Sequence, residues 1–139
     1  MLNQSEIKAL QEIESKYYMQ PILKAISTDL NNKKITLATC FNHLYEYLVN
    51  SKEAVEKLIQ ARVARGEIRD ASQARKSIAG GAFSSLIIWV FLKNKECGNT
   101  PQNIFITSKI SQIPQHKELF FIKVGEETQK PDVDLIIYS

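Results

Sequence analysis

From Phe83 to Leu92 the chain reads Phe-Ser-Ser-Leu-Ile-Ile-Trp-Val-Phe-Leu, and this run constrains the fold more than any other stretch. Asp70 stands upstream as a helix-capping residue, and Cys97-Gly98-Asn99 supplies a stop signal downstream. The pattern predicts one long helix from Asp70 to about Lys95. A helix apolar on most sides belongs in an interior, packed on a sheet or between layers. Gly80-Gly81 sits midway and weakens the helix by roughly 1 kcal/mol per glycine. That cost points to close approach of another backbone, or to a kink. The apolar block is bounded by Ser85 and Lys93, so no uninterrupted apolar run reaches membrane-spanning length.

Other segments must cover such a helix. Ser5 to about Met19 carries Ile7, Leu10, Ile13, Tyr17 and Tyr18 at helical spacing, with Ser5 as the expected cap. Pro21 bends or restarts the chain, Ile22–Leu30 continues as helix, and Asn31-Asn32-Lys33-Lys34 is a polar break. Thr36 to Val49 places Leu37, Cys40, Phe41, Leu44, Tyr45 and Leu48 on one stripe. A further helical segment begins at Ser51, with Val55, Leu58 and Ile59 on its dry side. Gly66 interrupts the helical pattern after Arg65. Beyond Asn99 the period changes. Asn103–Thr107, Glu118–Val124 and Val133–Tyr138 are short runs rich in Ile, Phe and Val, separated by Pro114 and a turn over Gly125–Lys130. The expected class is α+β, or α/β. A helical N-terminal region over 1–61 precedes a core over 62–139, in which a long helix leads into the first strands of a sheet.

With 139 residues, 44% hydrophobic and 24% charged, the chain is long and apolar enough to bury a core. Its net charge of +3 is unevenly placed: residues 1–61 balance to zero, and residues 62–139 hold the whole excess. Cys40 and Cys97 lack metal-binding spacing, His43 and His116 are isolated, and Met1-Leu2-Asn3-Gln4 does not open a signal peptide. These features fit a reduced, cytoplasmic protein.

Three features bear on chemistry. All four arginines, Arg62, Arg65, Arg69 and Arg75, lie between residues 62 and 75, followed by Lys76. On a continuous helix Arg62, Arg65 and Arg69 share one face, which Gln73 and Lys76 extend. Arginine suits phosphate because its planar fork donates two parallel hydrogen bonds. The bland alternative is a solvated face with Glu67 and Asp70 as local partners. Next, Ala79-Gly80-Gly81-Ala82 has neither a preceding strand nor a following Lys-Ser/Thr, which excludes a nucleotide-binding loop. Last, Asp132 and Asp134 follow Pro131 at the mouth of an apolar run. Two residues apart on a strand, their carboxylates share a face and could serve a hard divalent cation; a Pro-Asp turn explains them equally well.

Taken in order, the Arg-x-x-Arg segment, Arg75-Lys76-Ser77-x-Ala79-Gly80-x-x-Phe83, the buried helix, and Lys130-Pro131-Asp132-Val133-Asp134-Leu135-Ile136-Ile137-Tyr138 resemble the N-terminal part of a type II restriction endonuclease of the PD-(D/E)XK nuclease superfamily. The resemblance covers about residues 62–139. It implies metal-dependent cleavage of double-stranded DNA, Asp132 or Asp134 as ligand of a catalytic Mg2+, DNA contact by Arg62, Arg65, Arg69, Arg75 and Lys76, and a homo-oligomer in the intact enzyme. Some such nucleases carry an additional glutamate after the aromatic position, where this chain has Ser84 and Ser85. The (D/E)-x-Lys element expected on the next strand has no counterpart, which implies an incomplete nuclease core, inactive alone. The alternatives are a non-catalytic helical module that binds DNA or RNA, and a helical interaction protein with an acidic partner.

Overall fold

Helices occupy the chain up to residue 96 and short strands follow, in a computed structural model that describes residues 1–107, 122–124, 127–129 and 135–138. The α-helices are α1 (Gln4–Ser15), α2 (Gln20–Asn31), α3 (Leu44–Asn50), α4 (Lys52–Ala64) and α5 (Ala71–Glu96), with 3-10 turns at Tyr17–Met19 and Cys40–His43. The strands are β1 (Phe105–Thr107), β2 (Ile122–Val124), β3 (Glu127–Gln129) and β4 (Ile136–Tyr138). Two compact units result, Met1–Pro101 and Gln102–Ser139. Helices with a small antiparallel strand content make this an α+β protein.

In the first unit α5 is the central element, packed against α1, α3, α4 and both 3-10 turns. Ala82, Leu86, Trp89, Val90, Phe91 and Leu92 are buried, so the apolar run forms the core as its pattern requires. Phe83 departs from it, remaining 44% exposed. By length and composition α5 could cross a bilayer, yet much of its apolar surface is covered by the other helices. It runs antiparallel to α1, and polar contacts join the two along their length. Lys95 Nζ meets Glu6 Oε2 at 2.6 Å, Trp89 Nε1 donates to Glu14 at 3.1 Å, and Lys16 Nζ donates to Ser85 Oγ at 3.3 Å. Asn94, also buried, donates to the carbonyls of Val90 and Leu37, tying the end of α5 to the loop before α3.

Local chemistry sets the helix ends. Asn3, not Ser5, caps α1. Its side chain accepts from Glu6 N–H while Glu6 returns a bond to Asn3 N–H, a reciprocal box that Ser5 could not make. Glycines in the left-handed region end α4 at Gly66 (φ 76°) and α5 at Gly98 (φ 82°). In each, the two following amides bond back to the last turn: Gly66 to Val63 and Glu67 to Arg62, Gly98 to Lys95 and Asn99 to Asn94. Asp70 accepts from Gln73 N–H and starts α5.

The expected stripe over Thr36–Val49 requires correction. Thr36 and Thr39 hydrogen-bond each other's backbone, and a 3-10 turn follows before α3 begins at Leu44. Three residues per turn instead of 3.6 rotates the apolar set. Cys40, Leu44 and Tyr47 are buried, whereas Phe41, Tyr45 and Val49 face outward. Of the two readings of Gly80-Gly81, close approach of another backbone is corrected too. Within α5, a Cβ built on Gly80 meets no described atom within 4 Å, and one on Gly81 meets only Tyr18 Oη at 3.8 Å.

In the second unit β1 pairs antiparallel with β4, Phe105 opposite Tyr138 and Thr107 opposite Ile136. β2 pairs antiparallel with β3, Val124 opposite Glu127. Strand β3 occupies residues expected to lie in a turn over Gly125–Lys130: Glu127–Gln129 is extended and pairs with β2. The described strands form two separate two-stranded ladders.

Candidate nucleic-acid interface

The arginine segment spans a helix end, a turn and a helix start, so no single helix face carries it. Arg62 lies in the last turn of α4, Arg65 caps it, Arg69 sits in the loop, and Arg75 and Lys76 belong to α5. Gly66 breaks the helix, as its sequence position implies. The arrangement replaces a straight basic stripe with a folded corner.

Glu67 organises one side of that corner. Arg62 Nη1 lies 3.1 Å from Glu67 Oε2, and Arg65 Nε lies 3.2 Å from Oε1. The hydrogen bond from Arg65 holds the Glu67 carboxyl below its ordinary range. Arg62 also stacks on the Tyr17 ring, 4.1 Å from its centroid. On the other side Arg75 grips Glu56 with Nε at 2.9–3.0 Å and an additional contact from Nη2. This fork, with Gln60 assisting, lowers the Glu56 carboxyl to about 2. The fork joins α4 to α5, nineteen residues apart in sequence. Arg75 is therefore a structural tie as well as a candidate contact.

Arg69 and Lys76 differ from the other three. Both are exposed and neither makes an ion pair among the described residues. They flank the start of α5, whose first turn contains no acidic residue. A helix N-terminus carries partial positive charge and unpaired amide donors, which attract anions. Two cations without an ion pair among the described residues and two arginines held by one glutamate thus lie on the exposed segment from Arg62 to Lys76, with the Asp70 carboxylate capping the start of α5.

Asp132 and Asp134 lie outside the described residues. The run after them forms β4, as its composition predicts. Among the described residues no three His, Cys, Asp or Glu side chains come together. A separate open cleft of about 550 Å3 lies between α1, α2 and α5, lined by Glu14, Gln20, Lys24, Ser27, Trp89 and Lys93 among others. Lys93 there is already matched to Glu14, at 3.8 Å, and to Glu96, at 3.7 Å.

Glu67 is legible in the sequence as a local partner; Glu56 is not, because only the packing of α4 on α5 brings it to Arg75. A helical-spacing reading of α4 does put Glu56 on the wet side, which is the one signal available. No protein-family model, curated protein or solved structure matches this chain.

Proposed function

We propose that this chain is the DNA-binding portion of a restriction-type endonuclease, with the α4–α5 corner meeting the phosphates of double-stranded DNA. One observation carries the reading: Arg69 and Lys76 stand exposed and unpaired among the described residues beside the start of α5. Free cations suit phosphate oxygens, and arginines already oriented by Glu67 add forks that lose little freedom on binding. Arg62, Arg65 and Arg75 make secondary contacts, since phosphate must compete with Glu67 and Glu56 for them.

The nuclease part of the proposal draws on the Pro131-Asp132-Val133-Asp134 motif ahead of β4 and on the order of segments that resembles PD-(D/E)XK enzymes. In such an enzyme the strands of the second unit contribute to the core sheet. Asp132 and Asp134 are hard oxygen donors that would hold Mg2+, which when bound activates the phosphodiester as a Lewis acid. A second acid and a lysine complete such a site, and Asp132 and Asp134 do not supply them. The 139 residues alone therefore bind DNA without cutting it, and the intact enzyme acts as a homo-oligomer in the cytoplasm.

Titrating the chain with labelled duplex at several salt concentrations tests this. Binding should weaken steeply as salt rises, and Arg69→Ala and Lys76→Ala should each reduce the log–log slope by about one. Arg62→Ala should change it less. Salt-independent binding, or none, sinks the DNA reading. Cleavage of plasmid by the purified chain sinks the incomplete-site reading and leaves DNA binding intact.

A further inference from the structure

One face of α5 has no partner among the described residues and has an unusual centre. Gln73, Lys76, Ser77, Gly80 and Phe83 follow helical spacing and all are exposed. Glycine in a helix interior is unfavourable relative to alanine, because it loses more backbone freedom on folding. The usual reason for tolerating it is a neighbour that would clash with a Cβ. Neither glycine has one: a Cβ on Gly81 would meet Tyr18 Oη at 3.8 Å, an ordinary van der Waals contact, and one on Gly80 would meet no described atom within 4 Å. The open side of Gly80 faces away from the rest of the helical unit.

Lys76 is the one charged residue among these five. Lys76 is unpaired among the described residues, and Arg69 stands just before the helix. The nearby acids are engaged elsewhere: Asp70 in the cap of α5, Glu56 with Arg75, and Glu67 with Arg62 and Arg65. We propose that the Gly80 face of α5 is the seat of the DNA sugar–phosphate backbone, and that the missing side chain lets that backbone approach the helix closely while Lys76 neutralises a phosphate. Phe83, one turn further along, offers an apolar edge to a sugar. The inference rests on the DNA-binding reading and deepens it from an exposed corner to a particular helix face.

Gly80→Ala and Gly80→Leu in the 139-residue chain test it, with thermal melting and duplex titration as the two measurements. Filling an open helical site with alanine should raise the melting temperature by about 3–6 °C and weaken duplex binding about threefold. Gly80→Leu should weaken binding about tenfold or more while the chain stays folded, since bulk holds the backbone off the helix. A stability gain coupled to a binding loss is the expected signature. If wild type binds duplex and Gly80→Leu binds it equally well, the inference falls and the DNA reading stands. If wild type does not bind, both fall. A lower melting temperature for Gly80→Ala also overturns the inference, because the chain itself then fills that space. So does a wild-type dimer that Gly80→Leu dissociates with duplex binding unchanged.

Discussion

Glu56 shows how much one residue can depend on a distant one. Its carboxyl is lowered from 4.5 to about 2, chiefly because the Arg75 fork favours the ionised form. The unfolded chain titrates near the ordinary value, so the tie stabilises the fold fully above about pH 4.5. The contribution is lost as pH falls towards 2, where the folded carboxyl also takes up its proton. Glu56→Gln should therefore be less stable than wild type at pH 6, and the difference should shrink towards pH 2. Urea denaturation at stepped pH reads this; a constant difference across that window contradicts the tie. Tyr47 belongs to the opposite limb. Burial first, and its hydrogen bond to Asp29 at 2.7 Å second, push the phenol well above its usual range. The arginine cluster is visible by eye in the sequence, but which arginines are engaged is not. A guanidinium's partner is set by a few ångströms of helix packing, and residue spacing carries that information only within one element.

At the scale of the element, helix ends were more legible than helix faces. Asp70, Gly66 and Gly98 act as their chemistry requires, because a cap is a bond between near neighbours. Helix α2 ends less comfortably. Lys33 adopts φ 60°, and the amides of Lys33 and Lys34 bond back to Leu30 and Asp29. A side chain in the left-handed region costs about 1 kcal/mol that glycine avoids. Lys33→Gly should raise unfolding stability by roughly that amount, and no change in the urea midpoint would show that the cap is not populated in solution. Faces were harder to read. The Thr36–Val49 stripe assumed an α-helical period, and the Thr36–Thr39 turn and the 3-10 turn after it replaced that period over its first half. Strand β3 escaped notice because Glu127-Thr128-Gln129 has no apolar alternation; the ladder with β2 supplies the reason it is extended.

At the largest scale, α5 is the organiser of the helical unit, and Lys95 shows what holds it. Its side chain is 1% exposed and that of Glu6 11% exposed, so the pair is largely shielded from solvent. Removing one partner of a buried pair leaves the other charge stranded. Lys95→Ala should destabilise the fold by about 3 kcal/mol, read as a fall in the urea midpoint without a change in slope. A loss of only a few tenths would mean that Glu6 finds water instead. By itself the sequence determined that a long helix must lie inside, that helices precede strands, and where most helices stop. Those outcomes follow from hydrophobic periodicity and from bonds between residues a few positions apart. Tertiary structure alone decided that Glu56 holds Arg75, that Gly80 opens outward, and that Lys95 is buried against Glu6. Such pairings join residues far apart in the chain, and their geometry exists only once the helices have packed.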